Sequence, residues 1–163
     1  MPFSPIPRGV YPSVTSLDPK KLKEKGITLV LADLDNTLVP YKVLEPSPEV
    51  AAWMAALKEE GIDLFLLSNS RKPGRAQKFA QQVGIPYQGH SGKPKKAGYF
   101  KAMERMGRTP KETIMVGDQI FTDNAGVTPL LVEPIQLAGN PGRYLRYAAE
   151  TPFRLLGGRR PFL

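Results

Sequence analysis

Four apolar runs recur along the chain, each about the length of a buried strand and each followed by polar residues: Ile27 to Ala32, Ile62 to Leu67, Thr113 to Val116 and Thr128 to Val132. Runs this short, rich in Val, Ile and Leu, predict strands covered on both faces, as in a parallel sheet. Between them the apolar residues return at helical spacing. Ser47 and Pro48 form an N-cap with a first-turn proline, and Val50, Trp53, Met54 and Leu57 line one face until Gly61. Arg75 to Val83, stopped by Gly84, predicts a second long helix, and Ala97 to Met106, carrying Tyr99, Phe100 and Met103, predicts a third. A shorter helix is expected from Asp18 and Pro19 through Lys25, closed by Gly26, and Thr109-Pro110-Lys111-Glu112 has the spacing of a capping box. Pro86-Tyr87 reads as a short strand at most. Strands alternating with helices predict an α/β fold: a mostly parallel sheet in three layers, with helices on both faces.

Outside this alternation the pattern changes. Pro2, Pro5, Pro7 and Pro12 make residues 1–16 poor helix or strand material, so an extended arm is expected there, docked or mobile. Residues 17–136 form the expected domain. Residues 137–163 are expected to be a basic, partly helical tail in which Arg143, Arg146, Arg154, Arg159 and Arg160 stand among Tyr144, Leu145, Tyr147, Phe153, Leu155 and Leu156. The interval from Gly117 to Val127 barely supplies the dozen or so residues that a parallel crossover takes.

With 163 residues, 41% of them hydrophobic, the chain has the length and apolar content for one domain with its own core. It contains no Cys, which excludes thiol nucleophiles, zinc–thiolate sites and disulfides, and His90 alone cannot form an imidazole cluster. No run approaches the ~18–20 apolar residues of a membrane span, and no secretory signal pattern opens the chain. A cytoplasmic location is expected, with peripheral attachment to the inner face of the membrane as a variant of it. The 23 Lys and Arg against 15 Asp and Glu give a formal charge of +8, favouring anionic partners: nucleic acid, phosphorylated metabolites or acidic lipid headgroups.

The chemistry sits at the strand ends. Asp33 and Asp35 follow the first run directly, and residues two apart in an extended chain share a face, so both carboxylates aim at one crevice. Two anions so close predict a shared proton or a bound cation. Thr37 adds a hydroxyl there. Ser68-Asn69-Ser70 ends the second run, Gly117-Asp118 the third, with Asp123 five residues on; Lys93 lies in a loop between the last two. Ligands of open parallel sheets bind beyond the carboxyl ends of the strands.

In this order the strand ends resemble the haloacid dehalogenase superfamily. Its Asp-x-Asp-x-Thr signature matches Asp33, Asp35 and Thr37, its strand-ending Ser matches Ser68, its Lys is best matched by Lys93, and its Gly-Asp followed by Asp matches Gly117, Asp118 and Asp123. The wording Asp-Leu-Asp-Asn-Thr-Leu, Leu-Ser-Asn, Gly-Ile-Pro and Gly-Asp-Gln-x-x-Thr-Asp is similar to the YqeG-type branch, over roughly Leu17 to Pro134. The resemblance implies a Rossmann-like fold and a phosphomonoesterase in which Asp33 attacks phosphorus and Asp35 serves as acid and then base. It also implies Mg²⁺ held by Asp33, the Asp35 carbonyl, Asp118 and Asp123, and a phosphoryl group held by Thr37, Ser68, Asn69 and Lys93.

Enzymes of this superfamily often bury small substrates under an inserted cap, for which neither Val39 to Pro46 nor Arg71 to Gly92 leaves room, so no cap domain is expected. An open crevice suits a phosphate on something large. Organellar relatives of the YqeG branch are phosphatidylglycerophosphate phosphatases, which makes a lipid headgroup the expected substrate and an anionic membrane an expected peripheral partner of the basic tail. Two alternatives remain open: a non-catalytic basic domain that binds RNA or a ribosome-associated partner, and a nucleic-acid 3′-phosphatase.

Overall fold

A computed structural model describes residues 7–68, 73–89, 96–119, 127–135, 141–158 and 162–163. Six parallel strands form one sheet: β1 (Val10–Tyr11), β2 (Leu29–Ala32), β3 (Asp63–Leu67), β4 (Tyr87–Gln88), β5 (Thr113–Gly117) and β6 (Thr128–Val132), in the spatial order β1-β6-β5-β2-β3-β4. The helices are α1 (Pro19–Glu24), α2 (Pro48–Glu59), α3 (Pro73–Val83), α4 (Lys96–Met106) and α5 (Pro141–Gly158).

The strands are buried because both faces are covered. Val30, Ala32, Leu64, Leu66, Ile114 and Val116 point into a core roofed by Leu22 of α1, Trp53 and Leu57 of α2, and Phe79 of α3. Their alternates Leu29, Leu31, Phe65, Leu67 and Met115 meet Tyr99, Ala102 and Met103 of α4 on the other face. This period-two division explains why the runs show no polar alternation. The caps are those the sequence announces: Ser47 Oγ accepts from the Val50 amide at 3.2 Å, and Asp18 Oδ1 from the Lys20 amide at 2.9 Å. Thr109 and Glu112 form the capping box, and hydrogen bonds from Thr28 and then Thr109 hold the Glu112 carboxyl below its ordinary range.

One outcome departs from the sequence expectations, and two others settle how the expected elements pack. The arm contributes a strand: Val10 and Tyr11 pair with Leu131 and Val132 of β6, so Pro7 and Pro12 flank a strand on the sheet edge, where a missing amide hydrogen costs nothing in the ladder. Despite the short interval, β6 pairs parallel to β5, with Ile114 opposite Thr128. The tail forms a helix of 18 residues that continues through Pro152. Gly157 lets that helix close on the arm, since a Cβ there would collide with the Pro7 ring. No cap domain is inserted: residues 33–47 between β2 and α2, and 68–72 between β3 and α3, are too few to hold one.

Trp53 ties the start of the domain, just after the arm, to α2 by donating its indole N–H to the Leu17 carbonyl at 2.8 Å, in a buried setting. Trp53→Phe keeps most of the packing but leaves that carbonyl unsatisfied, and a loss of about 1–3 kcal/mol is expected from urea unfolding.

Candidate active site

The chain leaves β2 toward β3 and β4 on one side and later returns to β5 and β6 on the other, so the switch point of the sheet lies between β2 and β5. At such a point the flanking connections diverge and open a crevice above the strand ends. Asp33 is the first residue beyond β2, and its amide donates to the Val116 carbonyl of β5 at 3.0 Å. Asp118 is the first residue beyond β5 and is buried at 3% exposure. With Ala32 opposite Val116 in the ladder, the two aspartates stand on neighbouring strand ends one position apart. Ser68, also buried, follows β3, the strand on the other side of β2, and its amide donates to the Gln88 carbonyl at 3.0 Å.

Asp35 and Thr37 sit in a tight turn. The Leu34 carbonyl accepts from the amides of Thr37, Leu38 and Val39, and Leu34, Leu38 and Val39 are buried, so the turn is anchored from below. Asn36 takes the left-handed conformation at φ 60°, which Asn tolerates better than most residues. The Asn36 carbonyl accepts from the Ile135 amide, tying the turn to the end of β6. The Thr37 hydroxyl is buried with no hydrogen-bond partner among the described residues.

Two arginines that the sequence reading did not single out for the site organise its rim. Arg75, in the first turn of α3, pairs its Nε with Asp35 Oδ1 at 2.8 Å and donates from Nη2 to the carbonyls of Pro40 at 3.0 Å and Val43 at 2.6 Å. A signal for it was present: a cation at a helix N-terminus opposes the helix dipole and so asks for another partner. Arg154 of α5, at 5% exposure, donates to the backbone carbonyls of Asp118 and Val132 and pairs with Glu150 and Glu133. It also lies 4.5 Å from the Tyr147 ring centre, and Tyr147 in turn donates to Glu133 at 2.7 Å. That hydrogen bond, with partial burial, raises the Tyr147 phenol above its ordinary pKa. Arg154 therefore turns inward, away from any surface the tail arginines were expected to meet.

The structure thus brings Asp33, Asp35, Thr37, Ser68 and Asp118 to one end of the sheet, whereas Asn69, Lys93 and Asp123, with His90, lie outside the described residues. Among the described residues no three carboxylates or imidazoles gather as a metal-holding group. The described donors there are instead the two carboxylates of Asp33 and Asp118 on adjacent strand ends. Such an all-oxygen set fits a hard ion like Mg²⁺, which keeps several waters.

A family model described as haloacid dehalogenase-like hydrolase matches residues 13–125. The chain belongs to this family. Among similar proteins, "Probable phosphatase YqeG" of Bacillus subtilis is 28% identical over 93% of this chain and 89% of its own length. The Arabidopsis thaliana protein named phosphatidylglycerophosphate phosphatase 1, chloroplastic/mitochondrial, is 32% identical over 77% of this chain, which spans only 40% of that protein. Of solved structures, the cobalt-bound form of a deoxy-D-mannose-octulosonate 8-phosphate phosphatase from Haemophilus influenzae superposes with a TM-score of 0.53 at 17% identity, covering 85% of this chain and 93% of that one. An uncharacterized protein from Listeria monocytogenes serotype 4b gives the same TM-score, 0.53, at 16% identity over 76% of this chain and 99% of that one. At such identities the structures establish the fold, and the family match establishes the hydrolase.

Two substitutions separate the support of the turn from its chemistry. Arg75→Ala removes an ion pair and two bonds to loop carbonyls, and a loss of about 2 kcal/mol is expected in urea unfolding. Thr37→Val replaces a buried hydroxyl without a described partner by a methyl of similar shape, so the same measurement should show unchanged or slightly higher stability.

Proposed function

We propose that this hydrolase is a Mg²⁺-dependent phosphomonoesterase working through an aspartyl-phosphate on Asp33. The observation that carries the reading is the placement of Asp33 and Asp118 on adjacent strand ends at the sheet's switch point. Asp33 is half-buried and Asp118 buried, and two carboxylates so placed call for a cation between them. Asp33, Asp118 and the Asp35 carbonyl would hold the ion, with Asp123 as a further ligand. When bound, Mg²⁺ neutralises charge on the carboxylates and on the phosphoryl oxygens.

In the first step an Asp33 carboxylate oxygen attacks phosphorus in line with the departing oxygen. The bond from phosphorus to that oxygen breaks as the Asp35 proton passes to it, releasing the alcohol. In the second step Asp35 takes a proton from water, whose oxygen attacks phosphorus and frees Asp33 and inorganic phosphate. Thr37, Ser68, Asn69 and Lys93 are the groups proposed to hold the phosphoryl oxygens. Arg75 positions the Asp35 carboxylate for both transfers by pinning it to the wall of the turn.

The substrate class proposed is a phosphomonoester on a lipid headgroup, phosphatidylglycerophosphate in particular. The absence of a cap supports an open crevice that reaches a phosphate carried on something bulky, and the named relatives of the chain include two such phosphatases.

With a generic aryl phosphate, Asp33→Asn is expected to abolish turnover, and Asp35→Asn to lower kcat about 10²–10⁴-fold. EDTA should remove wild-type activity and added Mg²⁺ restore it. Phosphate release from phosphatidylglycerophosphate in mixed micelles should exceed that from water-soluble phosphomonoesters at equal concentration; equal rates on all of them would refute the lipid assignment while leaving the chemistry intact.

A further inference from the structure

Helix α5 buries charges and exposes leucines. Glu150 and Arg154 are at 1% and 5% exposure, while Leu145, Leu155 and Leu156, on the opposite side of the helix, form an apolar stripe open to solvent. Burial of apolar surface alone would choose the reverse orientation, and a buried ion pair commonly adds no more stability than apolar residues of the same volume. The buried charges are therefore to be understood by what they hold. The guanidinium of Arg154 reaches beyond the helix: it donates to the carbonyls of Asp118 and Val132 and pairs with Glu133 at 3.6 Å.

The two carbonyls belong to neighbouring positions at the end of one ladder. Gly117 of β5 lies opposite Leu131 of β6, so Asp118 and Val132 are the next pair, where β5 has already ended. A planar fork across both fixes the direction in which the chain leaves β5, and the Asp118 side chain starts from that peptide. Charge is not what the cluster contributes. Arg146 and Arg154 are balanced by Glu133 and Glu150, so the group as a whole adds no formal charge beside the strand ends. Its contribution is position. The end of the helix is fixed as well, since Gly157, less than one turn beyond Arg154, closes against Pro7 of the arm.

We infer that Arg154 is a positioning residue for the metal site: by holding the Asp118 peptide, it presents the Asp118 carboxylate to a divalent cation shared with Asp33. Groups that hold a metal ligand in place without touching the ion commonly contribute about 10–100-fold in affinity. The inference rests on the Mg²⁺ reading above and goes beyond it, because it assigns part of the affinity for the ion to a helix outside residues 13–125, the stretch that the family model matches.

The test is the thermal midpoint of the full chain against Mg²⁺ concentration, which yields a dissociation constant without turnover, together with the Mg²⁺ dependence of aryl phosphate hydrolysis. Arg154→Lys keeps the charge and loses the fork. The double variant Glu150→Leu, Arg154→Met replaces the buried pair by apolar side chains and should keep at least the wild-type midpoint in the absence of metal. In both, the dissociation constant for Mg²⁺ is expected to rise about 10–100-fold, while kcat at saturating Mg²⁺ stays close to that of wild type. Glu133→Gln leaves the bond to the Asp118 carbonyl in place and should bind Mg²⁺ as wild type does. The inference is overturned if either folded Arg154 variant binds Mg²⁺ as tightly as wild type, or if Glu133→Gln weakens binding equally, since the effect would then be general loosening. Failure of the double variant to fold would make the pair a requirement of the fold and overturn it too. A wild-type midpoint indifferent to Mg²⁺ would refute the metal reading itself, and the role of Arg154 with it; a response that the variants share in full refutes that role alone.

Discussion

The pairing of β2 with β5 is the constraint on which the rest of the molecule depends. Because consecutive stretches of chain run outward from these two strands in opposite directions, the connections diverge beyond their carboxyl ends and open a crevice there. The register Ala32 to Val116 makes Asp33 and Asp118 neighbours, and the Asp33 amide closes the ladder on the Val116 carbonyl. The backbone that carries them is held in place by the buried Leu34, Leu38 and Val39 under the turn and by Arg154 at the Asp118 carbonyl. The core thus stabilises the arrangement of the strand ends.

Much of this was legible in the chain. Apolar runs without alternation gave the central strands to within a residue or two, since burial on both faces leaves a composition signal that needs no knowledge of partners. Asp33, Asp35, Thr37, Ser68 and Asp118 were legible for a related reason: polar residues directly after such runs have to lie at a strand end. The parts that were not legible depend on contacts distant in sequence. Val10 and Tyr11 form a strand only because β6 offers an open edge, and nothing local in a proline-rich arm announces that edge.

The arginines show the same limit. Arg75 reads locally as one more polar helix residue, yet its guanidinium holds Asp35 and two loop carbonyls more than thirty residues earlier in the chain. Arg154 was grouped with the other tail arginines as a surface cation because sequence carries charge but not direction. The helix period does place it opposite Leu145 and Leu156, and an arginine opposite an apolar stripe is compatible with either burial of the stripe or burial of the arginine. Carbonyls left over at the ends of β5 and β6 decide the matter, and they are visible only once the sheet is assembled.

The guanidinium of Arg154 spans two jobs that are usually kept apart, since one end belongs to α5 and the other grips the peptide that carries Asp118. The position of α5 on the sheet and the position of the Asp118 peptide are thus fixed by the same guanidinium. The last helix is therefore part of the scaffold that sets the sheet's carboxyl edge, and a single side chain carries that dependence.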